Sequence, residues 1–146
     1  MDPQKYHLAL KTAFASEYSF YLKAQNFHWN VEGPNFPQYH ELFGNIYEEV
    51  GDSIDPFAEN LRKAGTYSPA SLQRFSMLTQ IDDETDMLPA EQMVDELHAD
   101  SEKMANLFKI TYKMAEAMGD YGLANFLAER QDAHKKHSWM LRATSK

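Results

Sequence analysis

Glycine and proline are gathered into a few short stretches of this chain, and the segments between them are long and evenly patterned in the helical period. Pro3 opens the first segment, which runs to about Val31 with Leu10, Phe14, Tyr18, Tyr21 and Leu22 at helical spacing. Glu32-Gly33-Pro34 ends it. A second opens near Pro37 and closes at Lys63-Ala64-Gly65, a cationic last turn followed by a glycine stop. The third begins around Ala90, carries Met93, Leu97, Met104, Leu107 and Phe108, and stops at Gly119. From Asp120 to about Ala143 runs the fourth, with Leu123, Phe126 and Leu127 early and Trp139, Met140 and Leu141 late. Between the second and third lies a connector from Thr66 to Pro89 with the acidic run Asp82, Asp83, Glu84 and Asp86, in which Pro69 to Leu78 is long enough for one short helix. No segment alternates with period two for long, so no sheet is expected.

Four helices of about 24 to 29 residues, two short links and one long link describe an all-α, up-down four-helix bundle with a long crossover, containing a short helix, between helices two and three. That topology is ferritin-like. A length of 146 residues fits a single domain over 1–146, and 43% apolar residues supply its core. Zero cysteines exclude disulfides, thiolate metal sites, iron–sulfur clusters and a cysteine nucleophile. The formal charge of -8 disfavours a chain-wide grip on nucleic acid or an anionic membrane. With no apolar run near the roughly 18 residues of a membrane span and no signal-peptide pattern at the start, a soluble, cytoplasmic protein with no membrane partner is expected.

The second helix carries the chemistry. At 100° per residue with His40 at zero, Leu42, Phe43, Ile46, Tyr47, Val50, Ile54, Phe57 and Leu61 fall on an arc of roughly 200° to 340°, the core face. His40, Gly44, Glu48, Gly51, Asp52, Asp55 and Glu59 share the arc from roughly 0° to 120°. A solvated acidic face is the plain reading of such a stripe. Against it, like charges repel along i,i+4 spacings with almost no Lys or Arg to offset them, and a cation would supply the missing compensation. Two mid-helix glycines, each costing about 1 kcal/mol relative to Ala, point to a close backbone approach, expected from a partner helix. His40 and Asp55 are fifteen residues apart, roughly 22 Å along one helix, so one chain cannot bring both to one ion. Two copies crossing antiparallel about a two-fold axis near residue 48 or 49 can, giving two identical intersubunit sites of N and O ligands suited to iron, manganese or zinc.

The segment HWNVEGPNF from His28 to Phe36, followed by His40 and Glu41 and then by Asp55, Glu59 and the helix end at Gly65, strongly resembles the Dps family, the DNA-binding protein from starved cells. AEQMVDEL from Ala90 to Leu97 and SWMLRA from Ser138 to Ala143 extend the resemblance over essentially the whole chain. It implies a homo-oligomeric, dodecameric hollow shell with ferroxidase sites at two-fold interfaces, where Fe(II) is oxidised by hydrogen peroxide, or by dioxygen, and Fe(III) mineral is stored. His28 and His40 match the family's two His ligands from one subunit, and Asp55 and Glu59 its carboxylates from the partner. Trp29 matches an aromatic beside the metal that quenches oxidising intermediates, and simple interface packing explains it equally well. Alone, His28 would read as a core or cap residue.

One position departs from the pattern. Four residues after His40 the family usually places an Asp ligand, and this chain has Gly44. Across a dyad near residue 48 or 49, position 44 faces about position 53 of the partner, so Asp52, or failing that Glu48, is expected to fill the gap, with water as the other candidate. Asp120, Asn125 and Glu129 resemble positions lining the family's three-fold pores, Asn125 standing where an Asp is common, and a helix N-cap role for Asp120 is compatible with that. Lys5 and Lys11 do not make a Lys-rich tail, and Lys135, Lys136, Arg142 and Lys146 are read as complementing a helix dipole, so DNA binding is expected to be weak. Three readings follow: a peroxide-consuming, iron-storing ferroxidase; a metal-sequestering shell whose oxidation site is weakened by Gly44; and, least favoured by charge, a DNA-compacting protein.

Overall fold

The computed structural model describes residues 1–146. α1 spans Pro3–Asn30, with the Asp2 carboxylate accepting from the Gln4 N–H as its cap and Pro3 in its first turn. Gly33, at φ 100, and Asn35, at φ 66, make the tight link to α2, Phe36–Lys63. α2 runs unbroken through Pro56, whose ring faces solvent, and it ends at Gly65 in the left-handed region, with the Thr66 N–H reaching back to the Leu61 carbonyl. The short helix α3 is Leu72–Leu78. It starts later than Pro69 because Ser71 is its cap, accepting from the Arg74 N–H. α4 spans Ala90–Ala117 and α5 Tyr121–Thr144, joined at Gly119.

The connector's hydrogen bonds fix the direction of the second half. His7, near the start of α1, bonds to the Ala64 carbonyl at the end of α2. From there the chain climbs back along α1: Gln80 N–H bonds to Ser16 Oγ, Lys23 Nζ to the Asp82 carbonyl, and Asn26 to the Glu84 carbonyl. Lys23 also pairs with Asp100 at 2.8 Å and Glu96 at 3.3 Å, tying α4 to the same place. The crossover thus returns the full length of the bundle, and α4 begins beside the start of α2 and runs parallel to it.

The interior is filled by Phe14, Phe20, Phe27, Phe43, Phe57, Leu61, Leu97, Met104, Phe108, Leu127 and Leu141. Phe14 meets Phe57 edge to face at 5.3 Å. On α2, Phe43, Ile46, Val50, Phe57 and Leu61 are buried as the helical arc requires, and Leu42, Tyr47 and Ile54 lie at its border. Leu22, Trp139 and Met140 follow the apolar spacing yet stand exposed. No helix is long and apolar enough to cross a membrane.

Candidate metal centre on the first helix pair

His28 sits in the last turn of α1 and His40 near the start of α2, so the tight link folds one imidazole onto the other. The rings stack at 3.8 Å and 17°. Each is oriented by the other's backbone: the Nδ1–H of His28 donates to the His40 carbonyl at 2.6 Å, and that of His40 to the His28 carbonyl at 2.7 Å. A carbonyl can only accept, so in each neutral ring the proton is on Nδ1 and Nε2 keeps a free lone pair. That is how metal-binding imidazoles are commonly held. Phe36 stacks on His40 at 5.1 Å, Tyr47 lies 5.1 Å from His28, and Trp29 is 62% exposed at the adjoining position.

The two mid-helix glycines have a use within one chain. A Cβ on Gly44 would lie 2.9 Å from both Cε1 and Nδ1 of His28, and one on Gly51 would lie 2.9 Å from Cε1 of Tyr21. They admit side chains of α1, correcting the expectation that a partner helix requires them; helical spacing signals a close approach without saying what approaches. The consequence for position 44 is chemical. The space a carboxylate side chain would enter is taken by the His28 ring.

Glu48, Asp52, Asp55 and Glu59 are all exposed, and none has an ion-pair partner in the chain. Glu48, Asp52 and Asp55 border an open cleft of about 480 Å³ with Tyr18, Tyr21, Tyr47 and Ile54. Nowhere in one chain do three His, Asp or Glu side chains converge where a single ion could be held. His28 and His40 are therefore together, Asp55 and Glu59 are apart from them, and the exposed stripe between lacks its counter-charge.

At the other end, Asp120 stands at the N-cap position of α5 without a side-chain capping bond. Its carboxylate instead accepts from the Tyr6 hydroxyl at 3.0 Å, and burial together with that carboxylate pushes the Tyr6 hydroxyl well above its usual range. Asn125 reaches Glu129 at 3.4 Å, both exposed.

A second polar cluster, unanticipated from sequence, runs from the bundle interior out to the half-exposed Glu49. Glu17 of α1 is fully buried and receives Arg130 Nε at 3.1 Å and His134 Nε2 at 2.6 Å. Arg130 also spans both oxygens of Glu49, and His137 donates to Glu49 at 2.8 Å. Burial opposes ionised Glu17, but His134 and Arg130 more than offset it and hold the carboxyl below its ordinary range. Glu49 is likewise held at about 2, burial being outweighed by the bonds from His137 and Arg130. His134 is pushed down, chiefly by burial. The signal was available: Arg130, His134 and His137 occupy inward positions between Leu123, Leu127 and Leu141.

Comparison with known proteins agrees with this architecture. The ferritin-like domain model matches residues 8–146. The DNA protection during starvation protein of Brevibacillus brevis is 33% identical over 123 residues, 84% of this chain and 83% of the relative. The chain belongs to the Dps family. A crystal structure of a Dps protein from Bacillus brevis superposes with a TM-score of 0.93 at 30% identity, covering 100% of both chains. The Vibrio cholerae Dps protein, described as a member of a broad superfamily of ferritin-like diiron-carboxylate proteins, gives 0.93 at 25% identity over 99% of this Dps chain and 91% of that one.

Proposed function

We propose that this Dps chain is the subunit of an iron-storing, protective mini-ferritin that oxidises Fe(II), with hydrogen peroxide favoured over dioxygen, and holds Fe(III) in a dodecameric shell in the cytoplasm. The carrying observation is the reciprocal tethering of His28 and His40, which leaves two Nε2 lone pairs on the same face as carboxylates lacking any counter-charge. Iron is the substrate and cargo. His28 and His40 of one subunit would hold it with Asp55 and Glu59 of the next across a two-fold axis, and Asp52 or Glu48 would stand in for the carboxylate missing at Gly44. Two ferrous ions would supply the two electrons, and solvent the two protons, that convert peroxide to two waters, so that hydroxyl radical is not released. Trp29 is assigned to quenching oxidising species at the rim.

Asp120, Asn125 and Glu129 are proposed to line the ion entry, with Tyr6 fixing the Asp120 carboxylate. Twelve copies at -8 carry about -96, so DNA binding at physiological salt should be weak. Gly44 favours a second reading, in which the shell sequesters iron, zinc or manganese without fast oxidation, since a site with one carboxylate fewer holds a dication less tightly. Stopped-flow absorbance after mixing anaerobic Fe(II)-loaded protein with peroxide separates the two. Rapid ferric formation supports the ferroxidase; a rate equal to that of the His40→Ala, Glu59→Ala variant contradicts it.

A further inference from the structure

We propose that Arg130 is a resident cation filling a latent metal position inside the bundle, and that it bars this chain from chelating a divalent ion within one subunit. Ferritin-like carboxylate proteins build their interior sites from inward Glu residues on facing helices together with pairs of ligands at i, i+3. A related set gathers around Arg130 here, with a single His-x-x-His pair in place of the Glu-x-x-His motifs, and with the guanidinium among them no three of these donors are placed to hold an ion. Glu17 comes from α1, Glu49 from α2, and His134 and His137, three residues apart, from α5. Two carboxylates and two imidazoles form a donor set that suits iron, cobalt, manganese or zinc.

The guanidinium occupies the middle of that set. It contacts one oxygen of Glu17 through Nε at 3.1 Å and a terminal nitrogen at 3.0 Å, and it bonds to both oxygens of Glu49, while His134 bonds to the other Glu17 oxygen and His137 shares one Glu49 oxygen with Arg130. An ionised carboxylate with no exposure, such as Glu17, requires a cation beside it. Arg130 supplies one positive charge where a metal would supply two. His134 is also under-used, since its second ring nitrogen, Nδ1, is buried with no hydrogen-bond partner. Arg130 thus keeps the interior closed to metal and leaves the α1–α2 face as the place where metal is held. This last step rests on the function proposed above; the interior assignment does not.

The test uses the full-length protein with the face ligands removed by His28→Ala and His40→Ala, titrated with Co(II) and followed by visible absorption and thermal unfolding. Adding Arg130→Met should create binding of one further Co(II) per chain, with new d–d bands and a Co(II)-dependent rise in Tm. A further Glu17→Gln should weaken that binding at least about tenfold, and Arg130→Lys, which keeps the charge, should bind no extra ion. If Arg130→Met fails to fold in metal-free buffer, Co(II) should restore its helical circular dichroism. A folded Arg130→Met variant with no additional Co(II), binding insensitive to Glu17→Gln, or no rescue by Co(II) overturns the proposal. Co(II) binding by the unaltered protein against the His28→Ala, His40→Ala variant reads the face site separately.

Discussion

Gly44→Ala inverts the usual sign of a glycine substitution. In mid-helix, Ala is ordinarily favoured over Gly by about 1 kcal/mol. At Gly44 the new Cβ would sit 2.9 Å from Cε1 and Nδ1 of His28, about half an ångström inside ordinary contact. The ring must withdraw, and the Nδ1–H bond to the half-buried His40 carbonyl lengthens or breaks, at a cost of about 0.5–1.5 kcal/mol, along with the stacking on His40. Gly122 is the control, because a Cβ there meets nothing within 4 Å and its φ is not positive. Urea unfolding should place Gly44→Ala about 1–2 kcal/mol below Gly122→Ala in stability. Imidazole NMR should show the His28 Nδ1–H resonance displaced in the first variant and unmoved in the second. Equal stabilisation by both substitutions, with that resonance unmoved, would refute the reasoning. Gly44→Asp should collide in the same way, so restoring the family's usual carboxylate should not raise the ferroxidase rate.

Glu17→Gln removes a fully buried charge and leaves Arg130 with Glu49 alone, so chemical denaturation should register a loss of about 3–5 kcal/mol. Both His134 and Glu49 titrate lower in the fold than when unfolded. Their stabilisation is complete above the unfolded values and should fade as pH falls, first below about 6.5 for His134 and then from 4.5 toward 2 for Glu49. Unfolding free energies across pH 8 to 3 measure this, and a flat profile down to pH 4 would contradict it. Tyr6→Phe frees the Asp120 carboxylate and should cost about 0.5–1.5 kcal/mol in urea unfolding.

How far the sequence could be read depended on what each signal encodes. Glycine and proline punctuation places all four long helices, with α2 continuing through the exposed Pro56. The start of α3 was missed by a few residues because Ser71 acts as its cap. That α4 runs parallel to α2 is set by contacts of Gln80, Asp82 and Glu84 with α1, which no local pattern announces. His40 and the acidic stripe are legible from helical spacing, whereas spacing alone reads His28 as a core or cap residue and only the family resemblance sets it beside His40. The reciprocal backbone bonds that orient the imidazoles are not legible, since they arise from the angle of the α1–α2 link. Glu17, Glu49, Arg130 and His137 escaped notice because charged residues are ordinarily surface residues, and burying them requires partners from three helices that are distant in sequence.

The central claim is that each metal site is completed by two subunits, and subunit mixing tests it most directly. Chains carrying His28→Ala and His40→Ala are co-assembled with chains carrying Asp55→Asn and Glu59→Gln, then loaded with Fe(II) and mixed with peroxide. Every mixed two-fold pair regains one intact site, so random pairing should restore about a quarter of the unaltered ferroxidase rate, though each variant alone is inactive. Co-assembled shells as inactive as either parent would place all four ligands in one subunit and contradict the account.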